Sequence, residues 1–361
     1  MIPVSRPFIS ELEISLVTDA VRSTWVSSIG PYMDQFEHMF AEFCGVKHAV
    51  AVSNGTVGLH LALVALGIGT GDEVIIPDLT FVATANAVRV SGAVPVFADV
   101  CRDTYCIDPA AIRRLLTPKT RAIMPVHLYG HPANMPVILE IARSNGLVVI
   151  EDAAEAHGAA IGETRTGTFG HCGVFSFYGN KIITTGEGGA ITTNDDGLNV
   201  RLRYLRDHAM SKDIRYWHTE VGFNYRMTNL QAALGVAQLK QVDQFLNARA
   251  EILDRYRKKL EPAGIECNPV VDARPVNWLV TAVVDGLSRA GRDAAMGAMR
   301  EAEVDSRPFF YPMSMLPMYQ SERRPVAWQL SESGFNLPTF VGMTRQQIDL
   351  VCEQFLKAVG R

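Results

Sequence analysis

Apolar residues along this chain gather in short runs separated by stretches with helical spacing. Ala49-Val50-Ala51-Val52, Glu73 to Pro77, Val94 to Ala98, Arg121 to Val126 and Leu147 to Glu151 read as strands, with Gly173 to Phe177 and Gly189 to Thr193 as closing strands. Between them, Val57 to Leu66, Phe81 to Ser91 and Met135 to Asn145 carry helical patterns. Strands alternating with helices imply right-handed crossovers, and so an α/β fold with a mostly parallel sheet covered by helices on both faces.

Further on, Thr228 reads as the cap of one long helix through Leu230, Leu234, Leu239, Phe245 and Leu253 to Leu260. Its early part is alanine-rich and its end is basic (Arg255, Arg257, Lys258, Lys259), which suits a helix C-terminus. Pro262-Ala263-Gly264 breaks it. A domain boundary is expected there, with a large domain over residues 1–261 and a smaller C-terminal α+β domain over 262–361.

A length of 361 residues suits that division, and 48% hydrophobic with 20% charged residues describes an ordinary globular protein. The net charge of −4 gives no general attraction to nucleic acid or to an anionic membrane, so any positive charge that matters acts locally. Six scattered cysteines without a C-x-x-C pair point to reduced thiols in a cytoplasmic setting. The first seven residues contain two prolines and no signal-peptide core. Val57 to Ile68, the most apolar stretch, is interrupted by Gly58, His60 and Gly67 and is too short to cross a bilayer, so a soluble protein is expected. His127, Tyr129 and His131 lack a matching ligand cluster, and no metal site is expected.

The chemistry gathers at strand ends. Lys181 lies between an apolar run and the glycine-rich turn Thr185-Gly186-Glu187-Gly188-Gly189. A lone lysine is normally solvated surface. Here Tyr178, Gly179, Ile182 and Ile183 surround it with apolar and backbone atoms, and desolvation favours the neutral, nucleophilic form of an amine. Asp152 ends the run Leu147 to Glu151, with two alanines after it that leave room for a flat ring. A strand-end lysine, a strand-end acid and a glycine-rich turn are what pyridoxal phosphate chemistry requires: an amine for the aldehyde and an acid to keep the pyridine nitrogen protonated. Ser53-Asn54-Gly55-Thr56 sits at a strand-to-helix junction that suits either a phosphate or a simple N-cap, and there is no G-x-G-x-x-G for a dinucleotide. Ser176 adds a hydroxyl on the strand leading to Lys181, and Phe81 is placed to stack on a ring or to fill ordinary core. Arg226, in Gly222 to Thr228, and Arg307, among Phe309, Phe310 and Tyr311, suit a carboxylate, a phosphate or a structural salt bridge. Thr24-Trp25-Val26-Ser27-Ser28 is open between core tryptophan and ligand lid.

Ser-Asn-Gly-Thr at 53–56, Glu-Asp-Ala-Ala-Glu at 151–155, Ser-Phe-Tyr-Gly-Asn-Lys-x-x-Thr-Thr-Gly-Glu-Gly-Gly at 176–189 and Gly-Phe-Asn-Tyr-Arg-Met-Thr at 222–228, in this order, resemble the DegT/DnrJ/EryC1/StrS nucleotide-sugar aminotransferases. The resemblance covers nearly the whole chain. It implies PLP fold type I (aspartate-aminotransferase-like), a homodimer with shared sites, and pyridoxal phosphate as cofactor. It further implies Lys181 as the Schiff-base lysine and Asp152 at the pyridine nitrogen. Gly55, Thr56 and Ser176 then hold the phosphate, with Asn224 reaching it from the other subunit and Phe81 on the ring. Glu155 occupies a position where family members, often with glutamine, approach the phenolic oxygen. Trp25 to Ser28, Val126 to Pro132, Tyr216-Trp217-His218 and Arg307 to Pro312 are similar to the branch that makes GDP-perosamine. That likeness implies L-glutamate as donor, C4 of GDP-4-keto-6-deoxy-D-mannose as acceptor, and a product for O-antigen synthesis. Trp25, Ser27, Tyr178, Arg226, Arg307 and Tyr311 are then candidates for substrate contact. A UDP- or dTDP-linked keto sugar is the alternative acceptor, and a non-catalytic PLP-binding regulator the alternative class. The related 3-dehydratases carry histidine where this chain has Lys181.

Overall fold

The computed structural model describes residues 1–361. Its central sheet has seven strands: β1 (His48–Val52), β2 (Glu73–Pro77), β3 (Val94–Ala98), β4 (Thr120–Ile123), β5 (Val148–Asp152), β6 (Cys172–Ser176) and β7 (Gly189–Thr193). They lie in the order β1-β7-β6-β5-β4-β2-β3, and only β7 runs antiparallel to its neighbours β1 and β6. Both faces are buried, as the apolar runs predict. Along β2, Val74 and Ile76 join one core with Val50, Val52, Val174 and Ile191, while Ile75 joins the other with Ala51, Val149 and Phe175. Successive side chains alternate sides, so every strand feeds both cores.

Four expected strands differ at their ends: β1 starts one residue early, β5 lies one residue later, β6 lies one residue earlier, and β4 starts one residue early and stops three early. β4 stops at Ile123, with Pro125 ahead, and Val126 makes only an isolated bridge to Asp152. β6 ends at Ser176, one residue before Phe177.

The single long helix after Thr228 is corrected to two, Asn229–Leu239 and Val242–Leu260. Thr228 does cap the first, in a capping box with Gln231. Neither proline nor glycine makes the break. The buried carboxylate of Glu13 accepts from the side-chain amides of Gln238 at 2.7 Å and Gln241 at 2.6 Å, and Gln241 leaves the helical conformation with ψ near 4°.

After the second of these helices, a short 3₁₀ turn and Gly264 at φ 75° stop the helix. Four short strands follow: β8 (Glu266–Cys267), β9 (Val280–Val283), β10 (Arg307–Pro308) and β11 (Gly334–Leu337). They form an antiparallel sheet in the order β8-β9-β11-β10. Its core also contains Ile252, Leu253, Tyr256 and Leu260 from the preceding helix, and Ile2 from the start of the chain. Packing of the small unit therefore begins inside helix Val242–Leu260, upstream of the proline–glycine break. No helix is long and apolar enough to cross a membrane. All six cysteines are unpaired.

Candidate active site

The parallel strands β1, β2, β4, β5 and β6 end along one edge of the sheet, where open α/β sheets bind ligands. A cavity of about 540 Å³ opens there, lined by Asn54, Gly55, Thr56, Phe81, Asp152, Glu155, Ser176 and Lys181 among others.

At the end of β1, Asn54 Oδ1 accepts from the Val57 amide at 3.0 Å and caps the helix Gly55–Ala65. The first amides of that helix, on Gly55 and Thr56, have no intrahelical acceptor, which leaves partial positive charge on the cavity wall. Gly55 is dictated by space: a Cβ there would lie 2.9 Å from Ser176 Cβ. Ser176 closes the same corner from the end of β6.

Asp152 ends β5 and is 5% exposed. Its Oδ2 accepts from Thr84 Oγ1 at 2.8 Å and its Oδ1 from the Ala154 amide at 3.2 Å. Burial pushes this carboxyl above the usual range, and the Thr84 bond, the Ala154 amide and Lys181 pull it back. Glu151, one residue earlier, faces the other side of the strand. It accepts from the amides of Gly167, Phe169 and Gly170 and from His127 Nε2 at 3.0 Å. His127 Nδ1 accepts from the Ala133 amide, so Nε2 carries the proton given to Glu151. Of the two adjacent acids, Asp152 faces the cavity and Glu151 braces the loop around it.

Lys181 Nζ lies 3.4 Å from Glu155 Oε1 and 4.0 Å from the centre of the Trp278 ring system. Glu155 Oε2 accepts from the Tyr129 amide at 2.8 Å. Burial raises the Glu155 carboxyl, and the Lys181 charge lowers it. An aromatic wall continues from this point: Trp278 stacks with Tyr129 (6.1 Å), Tyr129 with Phe310 (5.4 Å), and Phe310 meets Phe81 (5.6 Å). Phe81 is 54% exposed at the rim.

A second cavity of about 810 Å³ adjoins the first across Tyr178, Asn180, Trp278 and Phe310. Arg307 and Tyr311 line it, and Arg307 is paired with Asp305 at 2.5 Å.

This donor set fits pyridoxal phosphate. Helix amides and a serine hydroxyl, with a glycine cradle, suit the phosphate. A buried acid suits the ring nitrogen, and an amine beside an apolar wall suits the aldehyde. The DegT/DnrJ/EryC1/StrS aminotransferase family model matches residues 7–356. The chain belongs to this family. Its members are pyridoxal-phosphate-dependent aminotransferases, and so is this protein. It is similar to the GDP-perosamine synthase of Caulobacter vibrioides, with 47% identity over 97% of this chain and 96% of that one. The GDP-perosamine synthase of Escherichia coli O157:H7 is 42% identical over 98% and 97%. Among solved structures, Spr1654 of Streptococcus pneumoniae in its PMP form superposes with a TM-score of 0.95 at 26% identity, covering 99% of this chain and 98% of that one.

Within one aminotransferase chain the fold brings together Lys181, Asp152, Glu155, Gly55, Thr56, Ser176, Phe81 and Tyr178. Arg307 and Tyr311 belong to the adjoining cavity. Asn224 and Arg226 line neither cavity: Arg226 pairs with Asp207 at 2.6 Å and bonds to Asn224 on an exposed segment. Trp25 and Ser27 also lie outside both cavities; their carbonyls accept from Asn229. Two residues absent from the sequence reading, Thr84 and Trp278, stand at the site, and Phe310 entered that reading only as an aromatic neighbour of Arg307. Thr84 sits in the helix Val82–Val90 beside the polar Asn86 and Arg89, and nothing in the sequence sets its hydroxyl apart. Trp278 stands in none of the motifs that the sequence offers.

Proposed function

We propose that this aminotransferase moves the amino group of L-glutamate to C4 of GDP-4-keto-6-deoxy-D-mannose, giving GDP-perosamine for polysaccharide (O-antigen) synthesis in the cytoplasm. The observation that carries the acceptor is the 42–47% identity, over nearly full length, to GDP-perosamine synthases of three organisms. The size of the chamber supports it, since a second cavity of about 810 Å³ leaves room for a nucleotide beside the reacting carbon.

When bound, pyridoxal phosphate withdraws electrons from the carbon that gains or loses the amino group. The protein supplies everything else. Lys181 would hold the aldehyde and, once free, carry the proton between substrate carbon and cofactor through Nζ. Asp152 would keep the ring nitrogen protonated, and Thr84 keeps the carboxylate aimed. Gly55, Thr56 and Ser176 would anchor the phosphate, with Phe81 covering one face of the ring. Glu155 would approach the phenolic oxygen, with burial raising its carboxyl and the Lys181 charge and the Tyr129 amide lowering it.

Arg307, Tyr311 and Tyr178 would meet the donor carboxylate or the nucleotide. Asn224, Arg226, Trp25 and Ser27 would act across a homodimer, completing the site of a second copy. Their position outside this chain's cavities supports that reading. So do the exposed apolar residues on the loop before Asn224, where Tyr216 is 74%, Trp217 58% and Val221 81% exposed.

The test is a glutamate-dependent amination assay across GDP-, UDP- and dTDP-linked 4-keto-6-deoxy sugars. GDP-4-keto-6-deoxymannose should be turned over at least tenfold more efficiently than the rest. Preference for a UDP or dTDP sugar would reassign the acceptor, and no amination at all would refute the transaminase.

A further inference from the structure

Trp278 lies against the reactive amine, and no part of the proposed chemistry uses it. It is 4% exposed, and its position is over-determined. Its indole N–H donates to the carbonyl of Asn180, the residue before Lys181, at 2.8 Å. The Arg249 guanidinium holds its own carbonyl at 2.5 Å, and Tyr129 stacks with its ring at an interplanar angle of 17°. Lys181 Nζ sits 4.0 Å from the centre of that ring system. The same residue lines both the smaller cavity and the adjoining larger one.

We propose that Trp278 is a positioning residue for transamination: its indole face is the resting place of the Lys181 amine whenever that amine is not bonded to the cofactor. The proposal rests on the transaminase reading and adds to it a place for the lysine between its two tasks. Lys181 is free while the cofactor carries the amino group, and it must then stay near the reacting carbon without binding irreversibly to anything. A carboxylate alone would hold the cation in one geometry. An aromatic face attracts a cation without a directional bond, and tryptophan presents the strongest such face. Glu155 at 3.4 Å on one side and the indole on another leave the amine held but mobile. The bond from Trp278 to the Asn180 carbonyl fixes the backbone from which Lys181 swings.

A residue that stabilises only the free amine must favour the aminated form of the cofactor over the lysine-bound form. A residue that merely fills core stabilises both alike. Holoenzyme is titrated with mixtures of glutamate and 2-oxoglutarate, and the visible absorbance reports the fraction in each form. Trp278→Leu should need roughly 2- to 30-fold more glutamate, relative to 2-oxoglutarate, for half conversion. Trp278→Phe keeps a weaker face and should shift in the same direction by less. If Trp278→Leu holds cofactor and its ratio stays within the error of the parent, the assignment is wrong. Should the leucine variant not fold, Trp278→Phe decides alone: no shift, or a shift toward the aminated form, overturns the proposal.

A second readout needs no substitution of the tryptophan. In glutamate-treated holoenzyme labelled at lysine Cε, the Lys181 Hε protons, assigned with Lys181→Arg, should move upfield in the ring current of the indole. Unshifted protons would overturn the proposal. If the parent enzyme is not converted by glutamate at all, it is the transaminase reading that fails. Conversion of the parent with an unchanged ratio in the variants removes only the role of Trp278.

Discussion

Asp152 Oδ2 accepts a 2.8 Å hydrogen bond from Thr84 Oγ1, which in turn lies 2.9 Å from Thr80 Oγ1. The helix after β2 thereby steadies the acid at the end of β5. Burial favours the protonated acid, and this bond opposes it, so Thr84 helps to keep the charge that a pyridinium would need. Thr84→Val preserves shape and removes the donor. A hydrogen bond to a charged group is worth about 1.5–3 kcal/mol, so pyridoxal phosphate should bind roughly 10- to 100-fold more weakly. Equilibrium titration of cofactor-free protein with pyridoxal phosphate measures this. Affinity equal to the parent would mean that Thr84 serves only the fold.

Lys181 and Glu155 form a buried pair whose members depend on each other. Their side chains are 12% and 5% exposed, and the Glu155 carboxylate has only the Tyr129 amide besides Lys181. In cofactor-free protein at neutral pH, Lys181→Ala strands a buried carboxylate and should cost on the order of 3 kcal/mol. Adding Glu155→Gln removes the stranded charge, and the glutamine oxygen can still accept from Tyr129. The double variant should recover most of the loss. Denaturant melts of the two singles and the double complete the cycle. A double variant no more stable than Lys181→Ala would show that Glu155 is not the group left unpaired.

What could be read before the fold was known divides along a physical line. The sheet was legible because its buried strands are near-continuous β-branched runs and its crossovers are helical. Asp152 was legible at the end of β5 beside small residues and Gly55 at the junction of β1 with its helix, whereas Lys181, expected at a strand end, lies five residues past the end of β6 and was legible from the glycine-rich motif around it. Thr84 and Trp278 were not, because their roles depend on partners 68 and 98 residues away in sequence. The break between Asn229–Leu239 and Val242–Leu260 was invisible for the same reason: the carboxylate that Gln238 and Gln241 meet there belongs to Glu13, more than two hundred residues upstream. Trp25, Ser27 and Arg226 were open between structural and ligand roles and Asn224 was legible only as a family motif, and one chain alone gives none of the four a cavity to act on.

Gly55 and Ser176 meet so closely that the phosphate corner tolerates no side chain. A Cβ on Gly55 would stand 2.9 Å from Ser176 Cβ and 3.4 Å from Ser176 Cα, so the end of β6 must shift to admit it. Gly55→Ala should therefore weaken pyridoxal phosphate binding by at least about tenfold, although alanine favours the helix by up to ~1 kcal/mol. Cofactor titration combined with thermal unfolding of the cofactor-free protein separates the two effects. Unchanged affinity would argue that the phosphate binds away from this corner.

His157 is fully buried between Phe175 and Phe177, at ring distances of 5.3 and 5.6 Å, and neither ring nitrogen has a hydrogen-bond partner. Burial drives its pKa down from 6.5 to about 3, with the nearby Lys181 charge adding to the effect. The folded value lies below the unfolded one. The neutral ring therefore contributes stability that is fully present above about pH 6.5 and is lost progressively as the pH falls toward about 3. His157→Phe has no proton to take up and fits among the same rings. Its stability should fall less steeply than the parent's across that window, by an amount on the order of a few kcal/mol at the acid end. Urea melts of both proteins between pH 7 and pH 4 give the two slopes. Parallel curves would mean that His157 can be protonated without leaving the folded state, and that water or a moving neighbour reaches it beneath the lysine.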